Sequence, residues 1–273
     1  MESSILTQMN ILKNIDRPNS AVYIDYIFTD FIELSGDRLF GDDPSIIGGI
    51  GLINDIPLTV IGQLRGRNIE EQIKFNFSMA HPEGFRKALR LMKQAEKFQR
   101  PVVCFIDTIG AYPGKQAEER GQANAIANNL MEMMTLKIPI ISVLIGYGGS
   151  GGALALCIAD RIIALEHAVL SVIAPKACAE ILWKDTSKEI EAAELLKMTS
   201  TDLLQQGIVD YIIPEPNDGA HTNVQEMATR IKTYLIKEIK LLKNIRTSKL
   251  VHQRQKKYRT IGGRKTTCTI KQH

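Results

Sequence analysis

From Ile138 to Ile145 the chain is apolar at nearly every position, and it then breaks into five glycines within seven residues, Gly146 to Gly152. A small-residue helical pattern follows at once. A run without alternation predicts a strand buried on both faces, the habit of parallel sheets. Pro101 to Asp107 repeats the arrangement: an apolar run, the turn Thr108-Ile-Gly-Ala-Tyr-Pro-Gly114, and a long helix from about Gln116 to Leu136. Strand, glycine turn and helix, twice in succession, predict neighbouring parallel strands with both turns at one sheet edge, where such sheets bind ligands.

Other segments follow shorter patterns. Residues 1–20 read as a lead-in of one or two helical turns, closed by Arg17-Pro-Asn-Ser20. Tyr23, Ile27, Phe31 and Leu34 predict one helix from Ala21 to Leu34. Gly36 to Pro44 is a polar turn. Ile46–Leu52 and Pro57–Gln63, joined at Asn54-Asp55, predict a hairpin. Phe75 to His81 is irregular, and Pro82 to Phe98 is a helix with proline in its first turn. After the central turn come strands at Arg161–Leu165 and Val169–Ile173, then helices at Pro175–Trp183 and Ile190–Met198. One helical turn, Leu203 to Gly207, precedes an edge strand, Ile208–Ile213. Residues 217–222 are a linker, and Val224 to about Lys257 is one long amphipathic helix.

Composition alters this picture little. A chain of 273 residues with 44% hydrophobic and 23% charged residues is an ordinary globular sequence with a sizeable core. No apolar run is long enough for a membrane span, and the first residues lack a secretory pattern. Cys104, Cys157, Cys178 and Cys268 form no C-x-x-C pair, which speaks against a zinc ribbon or disulfide framework and for a reducing, cytoplasmic setting. Charge is more informative. From Ile231 to His273 there are 13 Lys and Arg against one acid, Glu238, while the remainder carries 21 basic and 29 acidic residues. Such a tail is either a solvated helix face or an attraction for nucleic acid, phosphate-bearing ligands or an acidic partner.

Three chemistries fit the central glycines. Gly146, Gly148 and Gly151 spell a dinucleotide fingerprint, with Glu166 near the position of the ribose-binding acid. Against it, the motif follows several strands and its helix is short. Gly148-Gly149-Ser150-Gly151-Gly152 also spells a nucleophile elbow, with His167 or His221 as base and Asp160 or Asp210 as orienter, although four flanking glycines suggest too loose a turn. The third reading is an oxyanion hole made from backbone donors of both glycine turns, with no side chain required. The plain alternative is a tight turn packing a helix onto a sheet. Arg65-Gly-Arg67 is either a clamp for phosphate or carboxylate or a surface turn.

Phe28-Thr-Asp-Phe-Ile-Glu-Leu-Ser-Gly-Asp-Arg38, Met79-Ala-His-Pro-Glu-Gly-Phe-Arg86, Ala111-Tyr-Pro-Gly114, Ala117-Glu-Glu-Arg-Gly-Gln122, Gly148-Gly-Ser-Gly-Gly-Ala-Leu154, Ile181-Leu-Trp-Lys184 and Ile212-Ile-Pro-Glu-Pro216 resemble the α subunit of bacterial acetyl-CoA carboxylase carboxyltransferase. The resemblance implies an α/β crotonase-like (ClpP/crotonase) spiral of ββα units over residues 21–216, with a parallel-rich core sheet. A linker and a basic C-terminal helical extension would fill 217–273. It also implies an α2β2 assembly with a zinc-bearing β subunit and no metal in this chain. A biotin carboxyl carrier protein and a biotin carboxylase would complete the holoenzyme, and nucleic acid enters only through the basic tail. The implied reaction moves a carboxyl group from carrier-bound biotin to acetyl-CoA, giving malonyl-CoA for fatty-acid synthesis. Gly151, Gly152, Gly110 and Ala111 would be the backbone oxyanion donors or flank them. Gly148, Gly149, Arg65 and Arg67 would contact substrate.

The sequence departs from the family pattern at three places. Ile109 stands for the usual proline, Tyr147 for a glutamate, and Lys176-Ala177 for Glu-Gly. The first loosens a turn, the second removes a charge, and the third puts a cation at a helix start. These changes leave room for two further readings. One is an impaired or altered-specificity paralogue that still assembles, and the other is a stand-alone crotonase-like acyl-CoA enzyme.

Overall fold

The computed structural model describes residues 4–216 and 218–262. Cys268 and the last part of the basic run therefore lie outside the described residues. The N-terminal helices are α1 (Ser4–Lys13) and α2 (Ser20–Ile27), followed by β1 (Thr29–Glu33), β2 (Ile46–Ile53) and β3 (Ile56–Gln63). The single helix expected over Ala21–Leu34 thus ends at Ile27. Phe28 turns extended, and Thr29–Glu33 pairs antiparallel with β2 as an exposed edge strand. A three- and four-residue spacing of bulky residues fitted both outcomes, and edge pairing decided. The expected hairpin is present, with Asn54 and Asp55 both at positive φ, as a two-residue loop between twisted strands requires.

Next come α3 (Ile69–Lys74), β4 (Met79–Ala80), α4 (Pro82–Lys97), β5 (Val102–Thr108) and β6 (Gly110–Ala111). The helix expected over Gln116–Leu136 is two helices, α5 (Lys115–Glu119) and α6 (Gln122–Met133). Gly121 breaks it at φ 83, a left-handed conformation that glycine adopts without penalty. Then follow β7 (Ile140–Gly149), α7 (Ser150–Leu154), β8 (Arg161–Leu165), β9 (Val169–Ser171), α8 (Pro175–Trp183), α9 (Glu189–Leu196), α10 (Ser200–Gln205) and β10 (Tyr211–Ile213).

The main sheet runs β1-β2-β3-β5-β7-β8-β10, with β9 attached to β7. Its first two pairings are antiparallel, and β3 through β10 are parallel. β5 is buried at every position, as its unbroken apolar run predicts. β5 and β7 therefore end side by side, and both glycine turns emerge at their carboxyl ends.

The long C-terminal helix is also two, α11 (Val224–Lys243) and α12 (Thr247–Thr260), separated at Asn244–Arg246. The amphipathic period runs through the break, so periodicity alone could not locate it. Two cations of the basic run are used inside the fold. Arg254 is buried against Asp160, and Lys257 pairs with Asp210. No helix of the described residues is long and apolar enough to cross a membrane.

Asp37 orders the polar turn ahead of β2. Its Oδ1 accepts the N–H groups of Leu39, Phe40 and Gly41, and its Oδ2 accepts Arg86 Nε at 2.7 Å. Burial pushes this carboxyl up, but the backbone donors and Arg86 outweigh it and hold the pKa at about 2. Because the folded value lies below the unfolded value of about 3.9, the contribution is complete above that pH and is lost as pH falls through 2. Asp37→Asn should therefore be less stable than wild type at pH 7, with the difference shrinking as pH falls below 4. Urea midpoints measured from pH 7 to pH 2 test this; a constant difference would refute the assignment.

Candidate functional site

The two glycine turns are in backbone contact. A Cβ at Gly149 would stand 2.2 Å from the carbonyl carbon of Ile109, and one at Gly152 would stand 2.5 Å from that of Gly110 and 2.7 Å from Ala111 N. Only glycine permits this approach. Gly151, between them, does not touch the opposite turn; an added Cβ would meet Ile126 at 3.7 Å, an ordinary contact. Among the described residues, no acceptor outside α7 itself takes the N–H of Gly151 or Gly152. These are first-turn donors, left unpaired by helix geometry and aimed at the helix N-terminal side.

The other turn is pinned differently. Thr108 Oγ1 accepts the Gly110 N–H at 3.1 Å and lies 2.5 Å from Ser78 O. Gly110–Ala111 pairs with Met79–Ala80, so this turn is tied to a segment whose Asn76, Phe77 and Ser78 all have positive φ. The Gly110 N–H, expected as an oxyanion donor, is thus already engaged. Gly148 packs against β9, where a Cβ would meet Leu170 Cδ1 at 2.7 Å.

α7 is tethered from behind by buried side chains. Gln63 Nε2 donates to Gly152 O at 2.8 Å, and Asn129 Nδ2 donates to Ala155 O at 3.2 Å. Neither residue was singled out from the sequence. The available signal was a polar side chain inside or beside an otherwise apolar element, and it does not say what the side chain holds.

The two arginines of the basic loop separate. Arg65 is half-buried, donates to Leu12 O at 2.7 Å, and places its guanidinium 5.2 Å from the centre of the Tyr147 ring. Arg67 is exposed and turns to Glu71. They form no joint clamp. Tyr147 and Ile109, two of the family departures, meet in one cavity of ≈ 140 Å³ beside the turns, with Met9, Leu12, Pro175 and Met198 among its lining. A second cavity, ≈ 240 Å³, lies beyond Ser150 and Gly151 against Leu170 and Ile208. Lys176 is exposed in the first turn of α8.

The competing chemistries lose their partners here. Ser150 does have φ 50, the strained turn an elbow needs, contrary to the looseness its glycines suggest. Yet the His221 ring pairs with Asn14, Asp160 is bound to Arg254, and Asp210 is bound to Lys257. Among the described residues no His, Asp or Glu side chain is hydrogen-bonded to Ser150. For the dinucleotide reading, Glu166 is occupied by the Glu215 N–H, and α7 is only five residues long. Cys104 and Cys157 are buried free thiols, and burial pushes both upward in pKa. Among the described residues no cluster of His, Cys, Asp or Glu is arranged to hold a metal ion.

A mostly parallel sheet with paired glycine turns at its carboxyl edge is the α/β, crotonase-like architecture that the sequence resemblance implies. The chain matches transcarboxylase 12S with methylmalonyl-coenzyme A and methylmalonic acid bound, at TM-score 0.61 and 19% identity over 84% of this chain and 44% of that one. A Pseudomonas malonate decarboxylase hetero-tetramer in complex with coenzyme A matches at TM-score 0.61 and 15% identity, over 79% and 86%. Sequence narrows the class. Residues 4–262 match the profile of the acetyl co-enzyme A carboxylase carboxyltransferase-like family, and the chain belongs to it. The acetyl-coenzyme A carboxylase carboxyl transferase subunit alpha of Clostridium botulinum (strain Eklund 17B / Type B) is 55% identical over 260 residues, 95% of each chain. That of Halalkalibacterium halodurans is 54% identical over 255 residues, 93% of this chain and 78% of its own.

Proposed function

We propose that this chain is the α subunit of an acetyl-CoA carboxylase carboxyltransferase, and that it receives carrier-bound carboxybiotin at the two glycine turns while a β subunit binds most of the coenzyme A. The carrying observation is the pair of unengaged N–H groups at Gly151 and Gly152, the second of these glycines held against the Gly110–Ala111 backbone. The residues present suit a biotin ring. Two backbone donors are unengaged, and an apolar cavity lies alongside. When bound, biotin supplies the carboxyl group and, after transfer, a ring nitrogen able to accept a proton.

The chain's own part is electrostatic. The N–H groups of Gly151 and Gly152 are aimed where negative charge grows on the ureido oxygen, and they need no reorganisation as it does. Gly110 and Ala111 form the facing wall, Gly148 and Gly149 carry β7 into the turn, and Arg65 supports it through Tyr147. Arg67 has no place in this arrangement. The partners are a β subunit in an α2β2 assembly, with zinc on that subunit, together with the biotin carboxyl carrier protein and biotin carboxylase, in the cytoplasm.

Malonyl-CoA formation from carboxybiotin and acetyl-CoA, measured with this chain, a cognate β subunit, and the two together, tests the reading. Turnover is expected in the mixture alone, with the chains co-eluting. Co-elution without turnover would leave an assembly-only paralogue, and turnover by this chain alone would leave a stand-alone enzyme.

A further inference from the structure

β7 does not run straight into the glycines. Its pairing with β5 keeps register from Val102↔Ile140 to Ile106↔Leu144 and resumes at Thr108↔Gly148, so β7 spends two more residues than β5 on this step. Over the same step β7 exchanges neighbours. Ile141–Leu144 pair with β8, and Tyr147–Gly149 pair with β9. Excess residues of this kind bend a strand and leave backbone groups without ladder partners, which are costly when buried. Two charged side chains take them. Asp107 Oδ1 accepts the Tyr147 N–H at 2.9 Å, and Arg17 Nε donates to Ile145 O at 2.9 Å. Gly146 lies between, where a Cβ would be 2.3 Å from Asp107 Oδ1. Arg17 is itself fixed by a bidentate pair with Glu215, at 2.7 and 2.6 Å.

The geometry points to Asp107 as a positioning residue of the carboxyltransferase site. By holding the Tyr147 N–H at the bend, its carboxylate sets the direction in which Gly148–Gly152 meet the Gly110 turn, with Arg17 bracing the other side through Ile145. This rests on the proposed role of the glycine turns in carboxyl transfer. Asp107 touches no reacting atom in this scheme. It acts through the backbone of β7, and its burial without a direct ion pair is otherwise unexplained.

The test compares Asp107→Asn, which keeps an acceptor oxygen, with Asp107→Leu, which keeps the branched shape and removes the acceptor, each assembled with the β subunit. The Leu variant should lose roughly 10- to 100-fold in kcat, the scale of a sub-ångström to ångström misplacement, with KM for acetyl-CoA little changed. The Asn variant should restore most of that turnover. Equal losses in both variants, or none in either, overturn the proposal. Should the Leu variant not assemble, Gly146→Ala decides the matter by displacing the carboxylate without altering it, and unchanged kcat there overturns the proposal. Gly152→Ala, run in parallel, separates the two readings. If it keeps full turnover the glycine-turn reading fails, and if it alone loses turnover only the role of Asp107 fails.

Discussion

Gly152→Ala is expected to lower turnover by about two orders of magnitude, while Gly151→Ala, one position earlier, leaves it within about threefold. The contrast follows from what each methyl group would meet. At Gly152 it would lie 2.5 Å from the Gly110 carbonyl carbon and 2.7 Å from Ala111 N, both backbone atoms of the facing turn. Neither can rotate aside, so the turns must part by something near an ångström, a displacement that costs about a hundredfold when the parted groups are those that hold the reacting charge. At Gly151 the nearest atom would be Ile126 Cγ2 at 3.7 Å, an ordinary contact, and φ there is not left-handed. Alanine would also favour the helix by up to about 1 kcal/mol, so the Gly151 variant should melt no lower than wild type. Steady-state malonyl-CoA formation with the β subunit, alongside co-elution, reads both effects. Equal turnover in the two variants would place the chemistry elsewhere.

The same contact shows what the sequence could and could not reveal. Two strand–glycine–helix units in succession were enough to place both turns at one sheet edge, because parallel sheets bury unbroken apolar runs and connect them by helices. That Gly149 and Gly152, and not Gly151, face the opposite turn depends on how α7 is rotated. Gln63 and Asn129 fix that rotation from β3 and α6. Long-range tethers of this kind leave no local pattern. The Arg65-Gly-Arg67 loop shows the converse. Its charges suggest a clamp, but adjacent side chains diverge, and Arg65 goes to Tyr147 and Leu12 while Arg67 goes to Glu71. The helix boundaries near residues 28, 121 and 244 were misread for a related reason. Period counts residues but does not see an edge strand pairing, a left-handed glycine or a bend that seats a buried arginine.

That arginine carries the second large effect. Arg254→Leu is expected to destabilise the chain by roughly 3–5 kcal/mol, the cost of removing one member of a buried charge pair. Arg254 donates through Nε and Nη2 to both oxygens of Asp160, at 2.9 and 2.7 Å, and also to the carbonyls of Met133, Leu136 and Ile138. Five hydrogen bonds join α12 to the end of α6, the segment leading into β7 and the residue before β8, so this one side chain seats the C-terminal helix on the core. Removing it strands three carbonyls and a carboxylate that is 5% exposed. Burial already pushes Asp160 upward in pKa against the pull of Arg254, and without that pull the shift grows. The folded variant would then hold a proton that the unfolded chain, with an Asp pKa near 3.9, has released. Its stability should therefore fall as pH rises from about 4 toward the folded value, by up to about 1.4 kcal/mol per unit. Asp160→Asn combined with Arg254→Leu removes the titrating group and retains an acceptor for the Ile140 N–H, so it should abolish this slope and recover part of the loss. Urea midpoints for the three proteins between pH 5 and pH 8 decide the matter. A deficit under about 1 kcal/mol for the single variant, against the scale expected of a broken buried pair, would mean that α12 is held by its apolar contacts and that Arg254 is incidental.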